Sequence, residues 1–420
     1  MKVYEDTKIF VVCPAYEKSG GPLALHQLAH ELRKRKMDAI MAYACAVRDE
    51  SPVAEPYRKY HIPFVTDAIA SDEHHILICP ETMAGSFPRH LRHIYWWLSV
   101  DNWARTIMGY FQQALLTSFA HPIPHFVPLA GDAGTHWVQS EYAHRFLRIN
   151  GVPEQKIHHV SDYLDPVFIS RHADDTFDIR HRRDVVAYNP VKGAEFTRRL
   201  QEAAPDLHWV KIEHMTSSEV EECLSEVKVY IDFGEHPGKD RIPREAAVCG
   251  CCVVTGRRGA AGNDVDVPIH PRYKFADRLE NIPAILDCIR RLLAEYPQRI
   301  ADFAAYRASI RKEKALFERE VEAALTFSDA APQTKRLALL LKGRIEPAQL
   351  PQGTDWEKRE DVQVAAVVDD TAAGSYVQAF QRTLPVISNE DAMFLYQEGR
   401  LEGFLTQDVT DGNVLHIYTE

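Results

Sequence analysis

The stretch that most constrains the fold is VKVYIDFGEHPGKDRIPREAAVCGCCVVTG, which begins at Val227. Its first residues alternate β-branched and aromatic side chains with others, a pattern typical of a buried strand. A polar, glycine-containing loop follows, and residues 242–249 then favour a short helix that ends at Gly250. Residues 251–255 predict a second strand. Strand, loop, helix and strand in this order indicate one unit of an open parallel α/β sheet.

The loop and helix of this stretch carry a cluster of charged side chains. In open α/β sheets ligands bind outside the carboxyl ends of the strands, which is where this loop lies. Helix N-termini and basic side chains at that edge suit phosphate groups. The basic candidates are Lys239, Arg241 and Arg244, and Glu245 follows on the helix. Together they predict a nucleotide-binding site.

The same order of strand, glycine loop, glutamate-bearing helix, Ala-Ala-x-Cys-Gly and Val-Val resembles the donor-site signature of GT-B glycosyltransferases of the retaining family-4 type. The resemblance implies that Glu245 holds the ribose of a nucleotide-sugar. That family usually carries a second glutamate about two helical turns earlier, where this chain has Pro237. Glu235 is the carboxylate that a remodelled loop would bring in its place. The candidate catalytic residues are Glu235, its neighbour His236, and Asp101.

Asp101 follows the apolar run HIYWWLSV, which predicts a strand over residues 93–100. An acid at the carboxyl end of a strand is well placed for a site. Aspartate also caps helices, and a helix is predicted directly afterwards. Both interpretations of Asp101 stay open.

Another segment, from His136 to Phe168, carries the same resemblance. It follows the hinge-side order of these enzymes, in which a strand leads to Ser, Glu, a helix, Gly and a second strand. Asp165 and Phe168 keep the places of the Asp and Phe that close the family's segment. Two separated matches in the right order are more specific than either one alone.

Two glycine-containing turns extend the predicted donor site. In such enzymes the turn at the start of the second domain supplies an Arg and a Lys to the donor diphosphate. In this chain Lys192 matches that Lys, and Asn189 lies roughly where the Arg would be. The structural alternative for Lys192 is an exposed loop lysine. Gly20 and Gly21, after the first strand, resemble the glycine loop placed against donor and acceptor. The glycine-rich segment 256–265 either lies over a phosphate or forms a mobile loop.

These observations predict an α/β fold of GT-B architecture, with two Rossmann-like doubly wound domains facing across a cleft. Residues 1–168 are predicted to form the acceptor-side domain, and 169–183 a polar linker. Residues 184–328 are predicted to form the nucleotide-sugar domain, with terminal helices that brace the first domain. Residues 329–420 are expected to be a small α/β appendage of unknown role.

Composition narrows the classes of function. The 420 residues suffice for two or three domains, and 45% hydrophobic with 26% charged residues is typical of a soluble protein. The net charge of −11 argues against non-specific binding to nucleic acid or anionic lipid. Most of the eight cysteines lie in apolar patterns without zinc-like spacing, which indicates reduced thiols. Without an apolar stretch long enough to span a bilayer, a cytoplasmic protein is expected.

The leading hypothesis is a glycosyltransferase that moves a sugar from a nucleotide-diphosphate donor to an unknown acceptor, such as a glycan or lipid-linked glycan. The resemblance implies retention of anomeric configuration, and no bound metal or other cofactor. One alternative is a nucleotide-sugar epimerase, for which His121, His125 and His136 would have to face the sugar. A second is a non-catalytic nucleotide- or glycan-binding module, which Pro237 favours. A third is a nucleic-acid base glycosyltransferase, against which the negative charge counts.

Overall fold

The computed structural model describes residues 1–43, 51–66, 69, 74–83, 92–116 and 134–328. It also describes the strands, and a few neighbouring residues, between 335 and 418. The described strands form one two-stranded sheet and three larger sheets of seven, four and six strands.

The first large sheet contains seven parallel strands and follows a short strand, β1 (Lys2–Val3). Its strands are β2 (Lys8–Cys13), β3 (Asp38–Tyr43), β4 (Phe64–Val65), β5 (Ile76–Pro80), β6 (Arg92–Trp97), β7 (Thr135–Val138) and β8 (Ile157–His159). The helices between them are α1 (Gly20–Lys34), α2 (Val100–Leu116) and α3 (Glu141–Ile149). The spatial order β4-β3-β2-β5-β6-β7-β8 reverses direction at β2. The crevice at that reversal, outside the carboxyl ends of β2 and β5, is where doubly wound sheets bind ligands.

Local sequence explains these elements. Strand β2 reads KIFVVC and is buried from its second residue onward, as a strand covered on both faces requires. Helix α1 buries Leu25, Leu28 and Leu32 along one face, so it packs against the sheet through an apolar stripe. The chain therefore passes from a buried strand to the glycines that begin α1 at the edge of the sheet.

The second large sheet has four parallel strands in the order β10-β9-β11-β12. A short helix, α4 (Pro166–Ser170), leads into it. The strands are β9 (Arg183–Tyr188), β10 (His208–Lys211), β11 (Val227–Asp232) and β12 (Cys252–Thr255). The intervening helices are α5 (Ala194–Ala203), α6 (Ser217–Glu226) and α7 (Arg241–Val248). The stretch that begins at Val227 is thus β11, a loop, α7 and β12.

After the second sheet the chain crosses back to the first. Helices α8 (Ile282–Ala294), α9 (Tyr296–Arg299), α10 (Ala304–Arg311) and α11 (Glu313–Ala324) are followed by β13 (Thr326–Phe327). Strand β13 pairs in parallel with β1. Phe317 and Val321 of α11 belong to the hydrophobic core of the first sheet. The end of this helical segment is therefore held by both pairing and packing.

The third large sheet lies in the last part of the chain. Its six strands are β14 (Lys335–Lys342), β15 (Val362–Val368), β16 (Tyr376–Ala379), β17 (Arg382–Ile387), β18 (Gly403–Asp408) and β19 (Val414–Tyr418). The order is β16-β17-β15-β14-β18-β19. The four central strands pair in parallel, and each edge strand pairs antiparallel to its neighbour.

A buried ion network ties helix α7 to the segment after β8 and to the start of α11. The guanidinium of Arg244 donates to both carboxylate oxygens of Asp162 at 2.9 and 3.0 Å, and to Glu313 at 2.8 Å. Arg244 is 0% exposed and Asp162 1% exposed. Burial opposes ionisation of Asp162, but Arg244 and Arg241 outweigh it and hold its pKa at about 2.

We expect Asp162→Ala to lower the free energy of unfolding by about 3–5 kcal/mol, because Arg244 would keep its buried charge and lose one partner. The matched control is Asp206→Ala, which breaks the exposed pair with Arg290 and should change stability by less than about 1 kcal/mol. Urea titrations of both variants measure the difference. Equal effects would show that the buried network is not a principal support of the fold.

Candidate functional site

A cavity of about 1400 Å³ lies between the carboxyl ends of the first and second sheets. The first sheet contributes residues at the start of α1, after β5 and around the start of α2. The second sheet contributes residues after β9, β10 and β11 and from the first turns of α7. Of the residues predicted for the site, the lining includes Gly20, Gly21, Asn189, Lys192, Glu235, Lys239, Arg241 and Glu245. Loops from two different sheets thus converge on one space.

The turn after β9 places Lys192 at the cavity. Gly193 has φ +56°, and a side chain there would clash with the carbonyl of Phe233 at the end of β11. The turn therefore packs closely on β11 and brings the Lys192 ammonium to 2.6 Å from Asp240 Oδ2. Asn189 lines the same wall, and its side-chain oxygen accepts from the Val191 amide.

The three basic residues of the α7 segment differ in their surroundings. Lys239 and Arg241 line the cavity, but Lys239 pairs with Glu313 at 2.8 Å and Arg241 with Asp162 at 3.1 Å. Arg244 is enclosed by its carboxylate partners and does not line the cavity. The prediction that Arg244 binds phosphate is therefore wrong: its guanidinium serves the buried network.

Glu245 lies on the cavity side of α7 and is half-buried. Burial raises its pKa to about 7, against the opposing charges of Arg241 and Arg244. A carboxyl group in this state changes between hydrogen-bond donor and pure acceptor near neutral pH. Its position fits the ribose contact that the family resemblance implies, which stays a prediction.

The three candidate catalytic residues separate in the structure. Glu235 lines the cavity and forms an ion pair with Arg105 of α2. His236 is 1% exposed and lies beneath the lining, with Nδ1 2.8 Å from Asp240 Oδ2. Burial lowers the pKa of His236, but Asp232 and Asp240 outweigh burial and raise it overall. Direct contact between His236 and a ligand in the cavity, as a catalytic role requires, is contradicted by this burial.

Asp101 also lies outside the cavity lining. Strand β6 ends at Trp97 and α2 begins at Val100, so Asp101 falls in the first turn of the helix. Its carboxylate accepts from the Tyr142 hydroxyl at 2.8 Å. Asp101 is therefore inside the first helical turn and not at the cap, and its carboxylate contacts Tyr142 and does not line the cavity. Its catalytic role stays a prediction.

Of the three histidines required by the epimerase alternative, His136 is the one that lies among the described residues. His121 and His125 lie outside the described residues. His136 is 0% exposed, and its Nδ1 accepts from the Trp97 indole at 3.0 Å. His136 therefore packs inside the first sheet.

Sequence reasoning missed Glu81, a buried acid directly after β5 that lines the cavity. Its Oε2 accepts from the Leu98 amide at 2.8 Å, and burial raises its pKa to about 8. An acid at the carboxyl end of a strand is well placed for a site, and Glu81 directly follows β5, whereas Asp101 lies four residues after the end of β6.

Arg258, in the glycine-rich segment after β12, also lines the cavity. Ala260 of that segment donates to the His236 carbonyl at 2.9 Å, so the segment packs on the β11–α7 loop.

Direct contacts join the β11–α7 loop to the first sheet beside the cavity. The Pro237 carbonyl accepts from the Val100 amide at 2.8 Å, and the Lys239 amide donates to Gln139 at 3.1 Å. Gly238 lies so close to the Leu98 carbonyl that a side chain would clash there. Pro237, at the position where the family has a glutamate, thus belongs to a contact between the two sheets.

Comparison with solved structures gives the fold class. The crystal structure of Anabaena HepE in complex with UDP and glucose matches with a TM-score of 0.51 and 10% identity, over 76% of this chain and 99% of that chain. The predicted α/β fold of the GT-B class is confirmed by this likeness. At this identity the likeness concerns the fold alone.

Two further solved structures are similar with TM-scores below 0.5. Sucrose-phosphate synthase from Thermosynechococcus elongatus matches at 0.45 with 12% identity, over 76% of this chain and 100% of that chain. A glycosyltransferase from Rickettsia africae matches at 0.46 with 11% identity, over 76% and 99%. No protein-family model and no curated protein matches the chain. Across the described residues, every helix is too short or too polar to cross a membrane.

We expect Glu81→Gln to stabilise the protein relative to wild type as the pH rises from 5 to 8. The unfolded Glu81 carboxyl releases its proton near pH 4.5, whereas the folded one retains it up to about pH 8. Wild-type stability therefore falls over this window, and Gln escapes the penalty while still accepting from Leu98.

Melting temperatures measured at pH 5 and at pH 8 test this prediction. From pH 5 to pH 8, the melting temperature of Glu81→Gln should rise relative to that of wild type by at least about 2 °C. Glu202→Gln, at an exposed position on α5, is the control and should follow wild type at both pH values. Parallel curves for Glu81→Gln and wild type would contradict a buried neutral carboxyl group.

Proposed function

We propose that this chain is a glycosyltransferase that transfers a sugar from a nucleoside-diphosphate-sugar to an acceptor. The observation that carries the proposal is the cavity, in which Gly20, Gly21, Lys192 and Glu245 face one space. The fold supports it, since HepE, which has the same fold, was crystallised with UDP and glucose. A nucleotide-sugar is therefore the substrate class that this cavity fits best.

The donor would lie along the second sheet. Its diphosphate would approach Lys192 and the N-termini of α5 and α7, where backbone amides point toward an anion. Its ribose would reach Glu245, whose carboxylate accepts from hydroxyl groups. The acceptor would enter along the first sheet, past Gly20, Gly21 and Glu81.

The reaction breaks the bond between the anomeric carbon and the terminal phosphate oxygen, and the nucleoside diphosphate leaves with the electron pair. A hydroxyl oxygen of the acceptor forms the new bond to the anomeric carbon, and its proton passes to the departing phosphate. Fixed positive charge at the leaving phosphate lowers the barrier, most strongly in a cavity that excludes water. Lys192 would supply this charge. The family resemblance favours retention at the anomeric carbon.

A non-catalytic nucleotide-binding module is the second candidate. Pro237 favours it, because a contact between the two sheets occupies the position of the family's second glutamate. Release of free sugar from a nucleotide-sugar, or its transfer to an acceptor, would exclude this candidate.

We expect one of UDP, GDP, ADP, CMP and dTDP to raise the melting temperature of the full chain, because a ligand that binds only the folded state stabilises it. With that nucleotide, Glu245→Ala should weaken binding at least about tenfold, as expected for the loss of hydrogen bonds to a carboxylate. The measurement is isothermal titration, with Glu202→Ala on α5 as the control for removal of an exposed glutamate.

Unchanged affinity in Glu245→Ala would refute its role at the ribose. Absence of a shift with all five nucleotides, and with their common sugar conjugates, would refute the donor class.

A further inference from the structure

The lysine that the donor phosphate would meet is already paired with a carboxylate. Lys192 Nζ lies 2.6 Å from Asp240 Oδ2, and both residues line the cavity. The position where the family resemblance implies an arginine holds Asn189, which carries no charge. A phosphate that binds at Lys192 therefore competes with Asp240 for the ammonium group. Binding is stronger if another positive charge balances Asp240 when Lys192 turns to the phosphate.

His236 offers Asp240 a second partner from beneath the cavity lining. Its Nδ1 lies 2.8 Å from Asp240 Oδ2, the same oxygen atom that the Lys192 ammonium approaches. The His236 side chain is 1% exposed, whereas that of Asp240 is 17% exposed. The Asp240 carboxylate thus lies between an ammonium group on the cavity side and an imidazole ring on the buried side.

The surroundings of this imidazole favour its protonated form. Nδ1 faces the Asp240 carboxylate, and Nε2 faces the main-chain carbonyl oxygen of Asp232 at 3.3 Å. A neutral imidazole would turn a lone pair toward one of these oxygens, whereas the imidazolium presents an N–H group to both. The Asp232 carboxylate is also close, with Oδ1 4.0 Å from Nε2. Burial opposes the charged form, but the two aspartates outweigh it and raise the pKa of His236 above its ordinary value.

Two further charged groups act on His236 from other elements. Lys192, after β9, opposes protonation of the imidazole from the cavity side. Asp277, in the segment after β12, is a carboxyl group whose own pKa burial raises, although Arg258 and His236 oppose that shift. Without a proton on His236, the Lys192 ammonium is the cation that balances Asp240.

We propose that His236 is a positioning residue for the donor diphosphate: its imidazolium balances Asp240, so that the Lys192 ammonium is available to the phosphate. His236 does not touch the ligand and acts through Asp240 and Lys192. The proposal rests on the proposed function, because a diphosphate has to bind at Lys192. Loss of the His236 proton returns Lys192 to Asp240 and weakens binding.

The pH dependence of nucleotide-sugar binding to the full chain tests this role. UDP-glucose, GDP-mannose, ADP-glucose and dTDP-glucose are titrated by calorimetry between pH 6 and pH 9, a range in which their esterified diphosphates keep the same charge. Because the pKa of His236 is raised above its ordinary value of 6.5, the imidazolium is lost above that pH. We expect the affinity of the nucleotide-sugar that binds to fall at least about fivefold over this range.

Two substitutions separate the His236 proton from Glu245 and Glu81, which titrate in the same range. Asp240→Asn keeps both glutamates and removes the competitor for Lys192, so its affinity should equal or exceed that of wild type and lose the pH dependence due to His236. His236→Asn should bind at least about fivefold more weakly than wild type at pH 6.5. The double variant of His236→Asn and Asp240→Asn should recover the affinity of Asp240→Asn, a rescue that a purely structural role of His236 would not give.

His181→Asn, at an exposed position before β9, is the control for removal of a histidine and should follow wild type at every pH. Circular dichroism checks that each variant is folded. If His236→Asn does not fold, the comparison of wild type with Asp240→Asn decides the test.

The outcomes distinguish this role from the proposed function. Binding with parallel pH profiles in wild type and Asp240→Asn, or a folded double variant as weak as His236→Asn, would overturn the positioning role and leave the proposed function standing. Absence of binding by all four nucleotide-sugars at every pH would refute the proposed function together with the positioning role.

Discussion

The buried pairing of Arg244 with Asp162 and Glu313 is the interaction on which the arrangement around the cavity depends. It joins α7 to the segment after β8 and to the start of α11, so one guanidinium connects three distant parts of the chain. Its Nε also donates to the Asp240 carbonyl at 3.0 Å, which holds the residue that precedes α7. The loop that carries the candidate donor-site residues is therefore positioned from its buried side.

The cavity has acidic and basic groups in close alternation, and this follows from the topology. Parallel strands end at one edge of each sheet, so every loop that follows a strand delivers its polar side chains to the same place. Burial then changes what these groups do: Glu81 and Glu245 have pKa values raised to about 8 and about 7, because apolar surroundings disfavour their charged forms. Asp162 in its ion network shows the opposite shift.

Particular elements show how far sequence reasoning reached. The predicted strand, helix and strand after Val227 correspond to β11, α7 and β12 within about a residue, because periodicity and glycine placement are local signals. The family resemblance implied that Lys192 and Glu245 are site residues, and both line the cavity. Arg244 and His236 were predicted from the same stretch, yet both side chains are buried. Residue type and spacing do not reveal which side of a loop or helix will meet a carboxylate from a distant segment.

The sequence by itself determined the class of fold, the strand, helix and strand that follow Val227, and the loops in which a site would form. These depend on hydrophobic periodicity, turn residues and helix ends, which act over a few residues. Only the tertiary structure decided that Arg244 supports the fold, that Asp101 turns to Tyr142, and that Glu81 and Asp232 face the cavity. The reason is physical: burial, ion pairing and pKa depend on groups brought together from far along the chain, and no local pattern encodes their distances.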